Sequence, residues 1–337
     1  MDAIVQVIED WSYAKDQKKT VYSIFFDFAK AFDLVDHEVL LTKLQLHLPN
    51  WLTSWIAAYL SDRKQRVVVS GTKTDWKSVE AGVIQGSVLG PVLFLIFISD
   101  INEVLPQGVD LQKYADDILT YIIGRTITQD LPQQIVDSIS KWCQTNKMRL
   151  NTNKCKVMII NKKVSSNLPS VELNNNTLEE VSSYKYLGVE LTNTLCWDEQ
   201  WHRVQKQTSS IPYLIKRLKQ LGFREEILVG VYRSLGLSHF TYSAPILSST
   251  SIKTKSEMAQ LQNRIFKIIG ISPELALTKY NIQTIEELIE KTCTKLLRRI
   301  LADEIHPLSM KLSKSTRKSY YKTNKARTAA YSNRFVQ

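Results

Sequence analysis

Residues 111–123 read Leu-Gln-Lys-Tyr-Ala-Asp-Asp-Ile-Leu-Thr-Tyr-Ile-Ile. Two apolar runs flank Ala115-Asp116-Asp117, which is the pattern of a β-hairpin with acids at its tip. A third carboxylate, Asp27, closes a run of β-branched and aromatic residues over 21–28 that predicts a buried strand. The sequence therefore predicts a sheet that carries three carboxylates at strand ends.

These carboxylates stand where a protein core would not place them. A carboxylate at such a position is costly unless it is solvated, paired or bound to a cation, and two adjacent acids repel each other. Nucleotidyl transfer uses such acids to hold two Mg²⁺ ions about 4 Å apart, which bridge the attacking hydroxyl and the triphosphate. An Asp at a strand end or an Asp-Asp turn is common on its own. Only the combination with further motifs favours a catalytic site.

Three further features accompany the acids. Gln85-Gly86-Ser87 lies in a glycine-rich loop that would let the backbone approach a base pair or phosphate closely. Phe32 lies five residues after Asp27, where a ring could exclude a ribose 2′-hydroxyl, or simply pack in the core. Lys154 is a turn lysine that could donate charge or a proton to departing pyrophosphate, or could be merely solvated.

Charge divides the chain into two parts. Residues 1–200 carry a net charge of −4, and residues 201–337 carry +15. The second part reads as helices over 200–221, 223–237, 254–270 and 284–302, with a capping box at Thr284 to Glu287. A basic helical region favours a polyanionic partner, most simply nucleic acid, although a solvated basic face explains the charge equally well.

The cysteines and the apolar segments indicate the cellular compartment. The four cysteines are scattered without metal-ligand spacing, which favours a reducing intracellular compartment, cytoplasm or nucleus. The N-terminus lacks a basic n-region, and the longest apolar run, 88–98, is too short to span a bilayer. We therefore expect neither a signal peptide nor a membrane partner, and the sequence does not indicate an oligomeric state.

Five ordered segments resemble motifs A to E of reverse transcriptases, in the non-LTR (LINE-like) retrotransposon branch. The segments are Phe26-Asp-Phe-Ala-Lys-Ala-Phe-Asp33, Gln85-Gly-Ser-Val-Leu-Gly-Pro91, Tyr114-Ala-Asp-Asp117, Leu150-Asn-Thr-Asn-Lys154 and Tyr186-Leu-Gly-Val189. Asp62-Arg-Lys-Gln-Arg-Val67 and the stretch from Leu261 to Gly270 resemble that branch as well. The resemblance implies an α+β right-hand polymerase: a palm of antiparallel sheet and packed helices, followed by a helical thumb and a basic C-terminal region.

The resemblance also implies a role for each matched residue. Asp27, Asp116 and Asp117 would be catalytic and would hold Mg²⁺, or Mn²⁺, with help from the Phe28 carbonyl. Phe32, Gln85, Gly86 and Lys154 would contact the incoming dNTP. The RNA template and DNA primer would lie against a larger set of residues: Ser87, Tyr186, Leu187, Gly188, Lys216, Arg217 and Lys219.

Domain limits follow from the same resemblance. Residues 1–20 would be the remnant of a fingers helix, 21–195 the palm, 196–310 the thumb and 311–337 a basic tail. Only 26 residues precede Asp27, so we expect an N-terminally truncated chain that lacks most of the fingers and any endonuclease. Two functions stay open: an RNA-directed DNA polymerase, or a catalytically silent nucleic-acid-binding remnant. Phe32 disfavours an RNA-templated RNA polymerase.

Overall fold

The computed structural model describes residues 1–162 and 168–309, together with the backbone of 313–314 and 321–322. The chain divides into two compact units. We call Tyr22–Val181 the sheet unit, and Met1–Val21 together with Ser182–Gln337 the helical unit.

The elements up to residue 181 are, in chain order, α1 (Asp2–Asp16), β1 (Thr20–Phe26), α2 (His37–Gln45), α3 (Asn50–Leu60), β2 (Lys64–Gln65), β3 (Val68–Val69), β4 (Thr72–Lys73), β5 (Lys77–Ser78), α4 (Leu89–Phe97), a 3₁₀ helix (Ser99–Val104), β6 (Asp110–Tyr114), β7 (Asp117–Gly124), α5 (Leu131–Thr145), β8 (Lys156–Ile160), β9 (Glu172–Leu173), β10 (Asn176–Thr177) and β11 (Glu179–Glu180). The later elements are β12 (Ser183–Tyr186), β13 (Val189–Thr192), α6 (Asp198–Thr208), α7 (Ile211–Gln220), α8 (Glu225–Val231), a π-helical segment (Tyr232–Leu237), α9 (Ser238–Tyr242), α10 (Ala244–Leu247), α11 (Ile252–Ile269), α12 (Pro273–Thr278), α13 (Ile285–Ala302), β14 (Ser313–Lys314) and β15 (Tyr321–Lys322).

A five-stranded sheet in the order β11-β8-β1-β7-β6 organises the sheet unit. Strand β1 lies at its centre and every residue of β1 is buried, because most of its side chains are apolar on both faces. The buried Ser23 hydroxyl donates to the Met158 carbonyl at 2.6 Å. The β6–β7 pair is antiparallel, whereas β8 and β11 run parallel. A connection as long as 161–178 can make the crossover that a parallel pair needs. The predicted α+β class is confirmed, and the parallel β8–β11 pair departs from the expected antiparallel sheet.

Helices α2, α4 and α5 belong to the same hydrophobic core as the central strands. Helix α5 buries Ile135, Ile139 and Trp142, which share one face at helical spacing. The ammonium of Lys43 lies 4.9 Å from the ring centroids of both Phe97 and Trp142 and 2.8 Å from an Asp100 carboxylate oxygen. Burial lowers the pKa of Lys43, while Asp100 opposes that shift. This ion pair with its aromatic neighbours ties α2 to the α4 and α5 region.

The helical unit has its own core, formed by apolar faces of α6 to α13. The predicted segment 200–221 is interrupted at Ser209–Ser210, and 223–237 divides into α8 and the π-helical segment. The predicted capping box of α13 is confirmed, since Thr284 and Glu287 each accept a hydrogen bond from the other's backbone. Helix α1 belongs to this unit, where Asp2 pairs with Arg299.

Strands β2 and β3 form the outgoing arm of a short hairpin. The basic tail expected over 311–337 lies outside the described residues, apart from the paired backbones of β14 and β15. Among the described residues, no helix combines the length and apolar character needed to cross a bilayer.

Candidate active site

The β6–β7 hairpin carries the Asp-Asp pair at its tip. Tyr114 pairs with Asp117, so Ala115 and Asp116 form a two-residue loop. Ala115 has a positive φ of 52°, a conformation unfavourable for a residue with a Cβ. The sequence prediction of a hairpin with acids at its end is confirmed, and the backbone strain lies at the residue before the acids.

Asp27 joins this pair through the order of the strands. It follows directly after β1, and β1 is the neighbour of β7 in the sheet. The pKa of Asp117 is raised, first by burial, then by the negative charges of Asp116 and Asp27, with Lys154 opposing the shift. Carboxylates from two distant segments therefore share one electrostatic environment.

Lys154 lies against the first of these carboxylates. Its Nζ is 3.3 Å from Oδ2 of Asp27. That oxygen is buried and makes no hydrogen bond within the described residues, so the contact is an ion pair without hydrogen-bond geometry. The backbone explains the placement, because the Asn151 N–H donates to the Asp27 carbonyl at 2.8 Å and begins the turn that presents Lys154.

The carbonyl of Phe28 is left available by the same backbone pairing. Phe28 and Leu150 form an isolated antiparallel bridge. The hydrogen bonds of that bridge run between the flanking residues, from Asn151 to Asp27 and from Ala29 to Arg149. In such a pair the two opposed residues exchange no bond with each other. The Phe28 carbonyl therefore accepts no hydrogen bond from Leu150.

This donor set fits a hard divalent cation. A buried carboxylate oxygen, two more carboxylates that repel it and a nearby carbonyl are the oxygen ligands that Mg²⁺ prefers. Within residues 1–162 and 168–309, no three His, Cys, Asp or Glu side chains form a ready-made metal cluster. Mg²⁺ is commonly held by one or two carboxylates together with waters and substrate phosphates, so a complete protein cage is not required.

The glycine-rich loop is fastened to the segment that follows Asp27. Gly82 N–H donates to the Val35 carbonyl at 2.8 Å, and Val83 N–H donates to the Phe32 carbonyl at 2.9 Å. The Gln85 side-chain amide donates to an Asp33 carboxylate oxygen at 3.0 Å. Two predicted nucleotide contacts, Phe32 and Gln85, are thereby brought to one region.

Gly86 and Ser87, two further predicted residues of this loop, have different surroundings. Gly86 has φ +83° with open space around it, whereas Ser87 accepts from the Gly90 N–H at the start of α4. Ser87 thus stabilises the local turn. The half-buried Phe32 ring stacks on Phe94, with centroids 4.5 Å apart.

In the helical unit, the predicted contacts occupy two places. Tyr186 is buried in the β12–β13 hairpin, and the Tyr242 hydroxyl donates to the Leu187 carbonyl beside Gly188. Lys216, Arg217 and Lys219 are exposed on α7. Lys219 donates to the Ile268 and Ile269 carbonyls at the end of α11. A shallow groove beside α7 is lined by Lys216, Lys219, Gln220, Arg264, Lys267 and Ile268.

Comparison with known families decides the assignment. The model of the family "Reverse transcriptase (RNA-dependent DNA polymerase)" matches residues 2–191, more than half of the chain. The chain belongs to the reverse transcriptase family. The predicted resemblance is confirmed, and the matched range contains the segments that carry motifs A to E.

Curated relatives of this reverse transcriptase come from mobile elements. It is 26% identical to the RNA-directed DNA polymerase from mobile element jockey of Drosophila melanogaster, over 88% of the chain and 34% of that protein. It is 28% identical to the jockey polymerase of Drosophila funebris, over 77% of the chain and 29% of that protein. It is 26% identical to the probable RNA-directed DNA polymerase from transposon BS of Drosophila melanogaster, over 92% and 36%. The chain spans about a third of the length of these relatives.

Solved structures offer a more distant likeness. The telomerase of Candida albicans in complex with a telomeric RNA fragment matches with a TM-score of 0.42 and 14% identity, covering 89% of this chain and 52% of that one. The apo telomerase of Candida tropicalis matches with a TM-score of 0.42 and 13% identity, over 91% and 54%.

Some contacts of this reverse transcriptase were not anticipated from sequence. Asp33 accepts a hydrogen bond from Gln85, but the resemblance to motif A implies no role for it. Tyr242, which holds the Leu187 carbonyl, lies far along the chain with no local signal. Arg264 and Lys267, which line the groove beside α7, could have been found from their exposed helical spacing on α11.

Proposed function

We propose that this chain extends a DNA primer on an RNA template with dNTPs, by two-metal nucleotidyl transfer. The observation that carries the proposal is the position of three carboxylates: Asp27 follows β1, and Asp116 and Asp117 lie at the start of β7, the neighbour of β1 in the sheet. The charges of Asp27 and Asp116 both raise the pKa of Asp117. Mutual repulsion of this kind is relieved by a bound cation. Membership of the reverse transcriptase family supports the same chemistry.

Asp27 and Asp116 would be the principal ligands of Mg²⁺ or Mn²⁺, with Asp117 and the Phe28 carbonyl assisting. When bound, such ions stabilise the charge that develops on the attacking and leaving oxygens. The chain itself orients these donors through β1 and the β6–β7 hairpin, and keeps the Asp27 Oδ2 atom buried. Burial strengthens the interaction of that oxygen with any cation that reaches it.

The incoming nucleotide would lie between Lys154 and the loop that carries Gln85 and Gly86. The side chain of Lys154 is 64% exposed, so its ammonium can reach departing pyrophosphate as a charge or proton donor. The Phe32 ring, held by Phe94, would exclude a ribose 2′-hydroxyl.

The helical unit would hold the template–primer duplex. Residues 201–337 carry the net charge of +15, which suits phosphate binding without sequence reading. The contacts proposed are Ser87 in the sheet unit, Tyr186, Leu187 and Gly188 in the β12–β13 hairpin, and Lys216, Arg217 and Lys219 on α7. In domain terms, we propose 1–20 as a fingers helix, 21–195 as palm and 196–310 as thumb.

Primer extension tests this function. With an RNA template, a DNA primer, dNTPs and Mg²⁺, Asp116→Asn should reduce extension by about 10²- to 10³-fold, as expected when one group that stabilises transition-state charge is lost. The Kd for duplex should stay within about twofold, because duplex binding depends on cations that contact phosphate and Asp116 is a carboxylate. Asp130→Asn, which removes an exposed carboxylate at the start of α5, is the matched control. Full activity of Asp116→Asn would overturn the proposal.

A second function, binding without catalysis, is favoured by one specific observation. Lys154 is ion-paired with Asp27, so a cation that binds Asp27 would have to displace the ammonium. A silent nucleic-acid-binding protein would bind duplex with a steep salt dependence but show no extension with either Mg²⁺ or Mn²⁺. The same assay therefore separates the two functions.

A further inference from the structure

The hairpin formed by β2 to β5 stands in solvent. Every residue from Lys64 to Ser78 is exposed. The exposed fraction is 58% for Trp76 and 61%, 53% and 65% for Val67, Val68 and Val69. A lone two-stranded hairpin is marginally stable in water, and exposed apolar side chains on it point to a binding surface.

The register of the hairpin defines two faces. Lys64 pairs with Ser78, and Val68 pairs with Lys73, across a turn in which Ser70 and Gly71 both have positive φ. Between the β2–β5 pairs and the β3–β4 pairs, the returning strand has one residue more than the outgoing strand. The extra residue is Asp75, which forms a β-bulge.

One face collects the cations and the tryptophan. Side chains alternate along an extended strand, and directly opposed residues share a face. The face that begins at Lys64 therefore carries Lys64, Arg66, Val68, Lys73, Trp76 and Ser78. The Arg66 guanidinium lies over the Trp76 ring, 4.4 Å from its centroid, as this assignment requires. We call this set the Trp76 face. Lys77 pairs with Gln65 on the opposite face.

The charges on the Trp76 face are uncompensated. Five lysines elsewhere in the sheet unit form ion pairs with carboxylates, among them Lys43 and Lys147. Within the described residues, Lys64, Arg66 and Lys73 form none. Free cations beside an exposed indole are the combination that binds single-stranded nucleic acid, since phosphates meet the cations and bases stack on the ring.

The base of the hairpin is fixed beside the candidate active site. Val79 N–H donates to the Arg63 carbonyl at 2.9 Å, and the Arg63 guanidinium donates to the Gly82 carbonyl at 3.4 Å. Gly82 in turn is bonded to Val35 and begins the segment that leads to Gln85. A strand bound on the hairpin would therefore continue toward the loop proposed to contact the nucleotide.

We propose that the Trp76 face binds a single strand of nucleic acid, with phosphates on Lys64, Arg66 and Lys73 and a base stacked on the Trp76–Arg66 pair. Under the proposed function, on which only this detail rests, the strand is unpaired RNA template that has not yet reached the active site. A Val-rich hairpin could alternatively add a protein strand, and that outcome would contradict the proposal.

Binding of labelled oligonucleotides to the full chain tests the proposal. Single-stranded RNA and DNA of one sequence are titrated in EDTA at several salt concentrations, and fluorescence anisotropy is measured. Trp76→Ala should raise the Kd by about 5- to 100-fold, the effect of losing one base stack. Lys73→Ala should lower the slope of log affinity against log salt by about 0.7. The oligonucleotide whose binding is weakened by these substitutions, RNA, DNA or both, identifies the strand that the face binds.

Lys77→Ala is the matched control, because it removes one positive charge from the opposite face of the same hairpin. It should leave the Kd within about twofold and the slope nearly unchanged. Equal effects of Lys73→Ala and Lys77→Ala, or no effect of Trp76→Ala on either strand, would overturn the proposal. Thermal unfolding of each variant checks that the sheet unit is intact, and Arg66→Gln replaces any variant that unfolds.

Photo-crosslinking to the same oligonucleotides gives an independent readout. Crosslinked peptides should include residues 64–78, whereas crosslinks confined to other regions would contradict the assignment. Because binding in EDTA does not require catalysis, the outcomes are separable from primer extension. Loss of binding in Trp76→Ala supports the hairpin site even if the chain does not polymerise, and active polymerase with unaffected binding refutes the hairpin site alone.

Discussion

The Nζ of Lys154 and the Oδ2 of Asp27 lie 3.3 Å apart, which joins the turn before β8 to the end of β1. The pairing leaves the three carboxylates unequally compensated. Asp27 has a cationic partner, whereas the pKa of Asp117 is raised by burial and by both neighbouring carboxylates. Mg²⁺ would therefore compete with Lys154 for the carboxylate of Asp27.

Replacing Lys154 by Met should separate cation binding from catalysis. Without the ammonium, Asp27 is freer to bind a cation, so the chain should need less Mg²⁺ to reach half of its maximal thermal stabilisation. Extension should fall by about 10²- to 10⁴-fold if Lys154 is a proton donor. Lys162→Met removes an ion-paired lysine next to Glu180 and should change neither quantity. Unchanged Mg²⁺ dependence in Lys154→Met would show that the ion pair does not compete with the cation.

Replacing Asp117 by Asn should change how stability depends on pH. The folded pKa of Asp117 is raised above its usual 3.8, so the protonated carboxyl favours the folded state. That contribution is fully present below the unfolded pKa and is lost as pH rises through the folded pKa. In EDTA, the free energy of unfolding of Asp117→Asn should therefore gain on that of the natural chain from about pH 4 upward.

Urea denaturation at several pH values measures this difference. Asp130→Asn should track the natural chain, since it removes an exposed carboxylate away from the site. Adding Mg²⁺ should stabilise the natural chain more than Asp117→Asn. Parallel stability curves for Asp117→Asn and the natural chain would contradict the electrostatic crowding.

Two glycines of the loop should respond differently to alanine. A Cβ on Gly82 would lie 2.8 Å from the Asp33 carbonyl oxygen at φ +89°, whereas Gly86 has φ +83° and open space. Gly82→Ala should lower the free energy of unfolding by about 2–4 kcal/mol, from backbone strain and overpacking together. Gly86→Ala should cost only the strain, about 1–2 kcal/mol. Equal losses in denaturant unfolding would show that the contact with Asp33 is unimportant.

Phe32 should control the choice of sugar. Phe32→Val removes the ring, so the ratio of kcat/KM for dNTP over the matching rNTP should fall by at least about tenfold, a difference of 1.4 kcal/mol. Phe94→Leu removes the stacking partner but keeps the Phe32 ring, and should lower the ratio less. A ratio that survives Phe32→Val would assign Phe32 to core packing.

Two lysines on α7 should separate binding from stability. Lys219 donates to the Ile268 and Ile269 carbonyls, so Lys219→Ala should lower the free energy of unfolding by about 0.3–1 kcal/mol. Lys216→Ala should leave stability within about 0.5 kcal/mol. It should reduce the slope of log duplex affinity against log salt by about 0.9. Loss of stability in Lys216→Ala with an unchanged slope would contradict its role at phosphate.

The residues that could be predicted are those governed by short-range rules. Alternating apolar runs around Asp116 and Asp117 identified a hairpin tip. The capping box of Thr284 follows from a four-residue pattern. Each depends on hydrogen bonds and periodicity within a few residues, which the sequence states directly.

The tertiary structure decided several contacts between distant segments. These are the ion pair of Lys154 with Asp27, the hydrogen bonds from Gly82 and Gln85 to the segment after Asp27, and the hydrogen bond from Tyr242 to Leu187. The tertiary structure also gathers three cations with Trp76 on one face, because the Asp75 bulge shifts the register by one residue. The sequence by itself determined which side chains could carry chemistry. Strand order and register decided which of them meet, because these arise from packing of distant segments, where a shift of one residue moves a side chain to the opposite face.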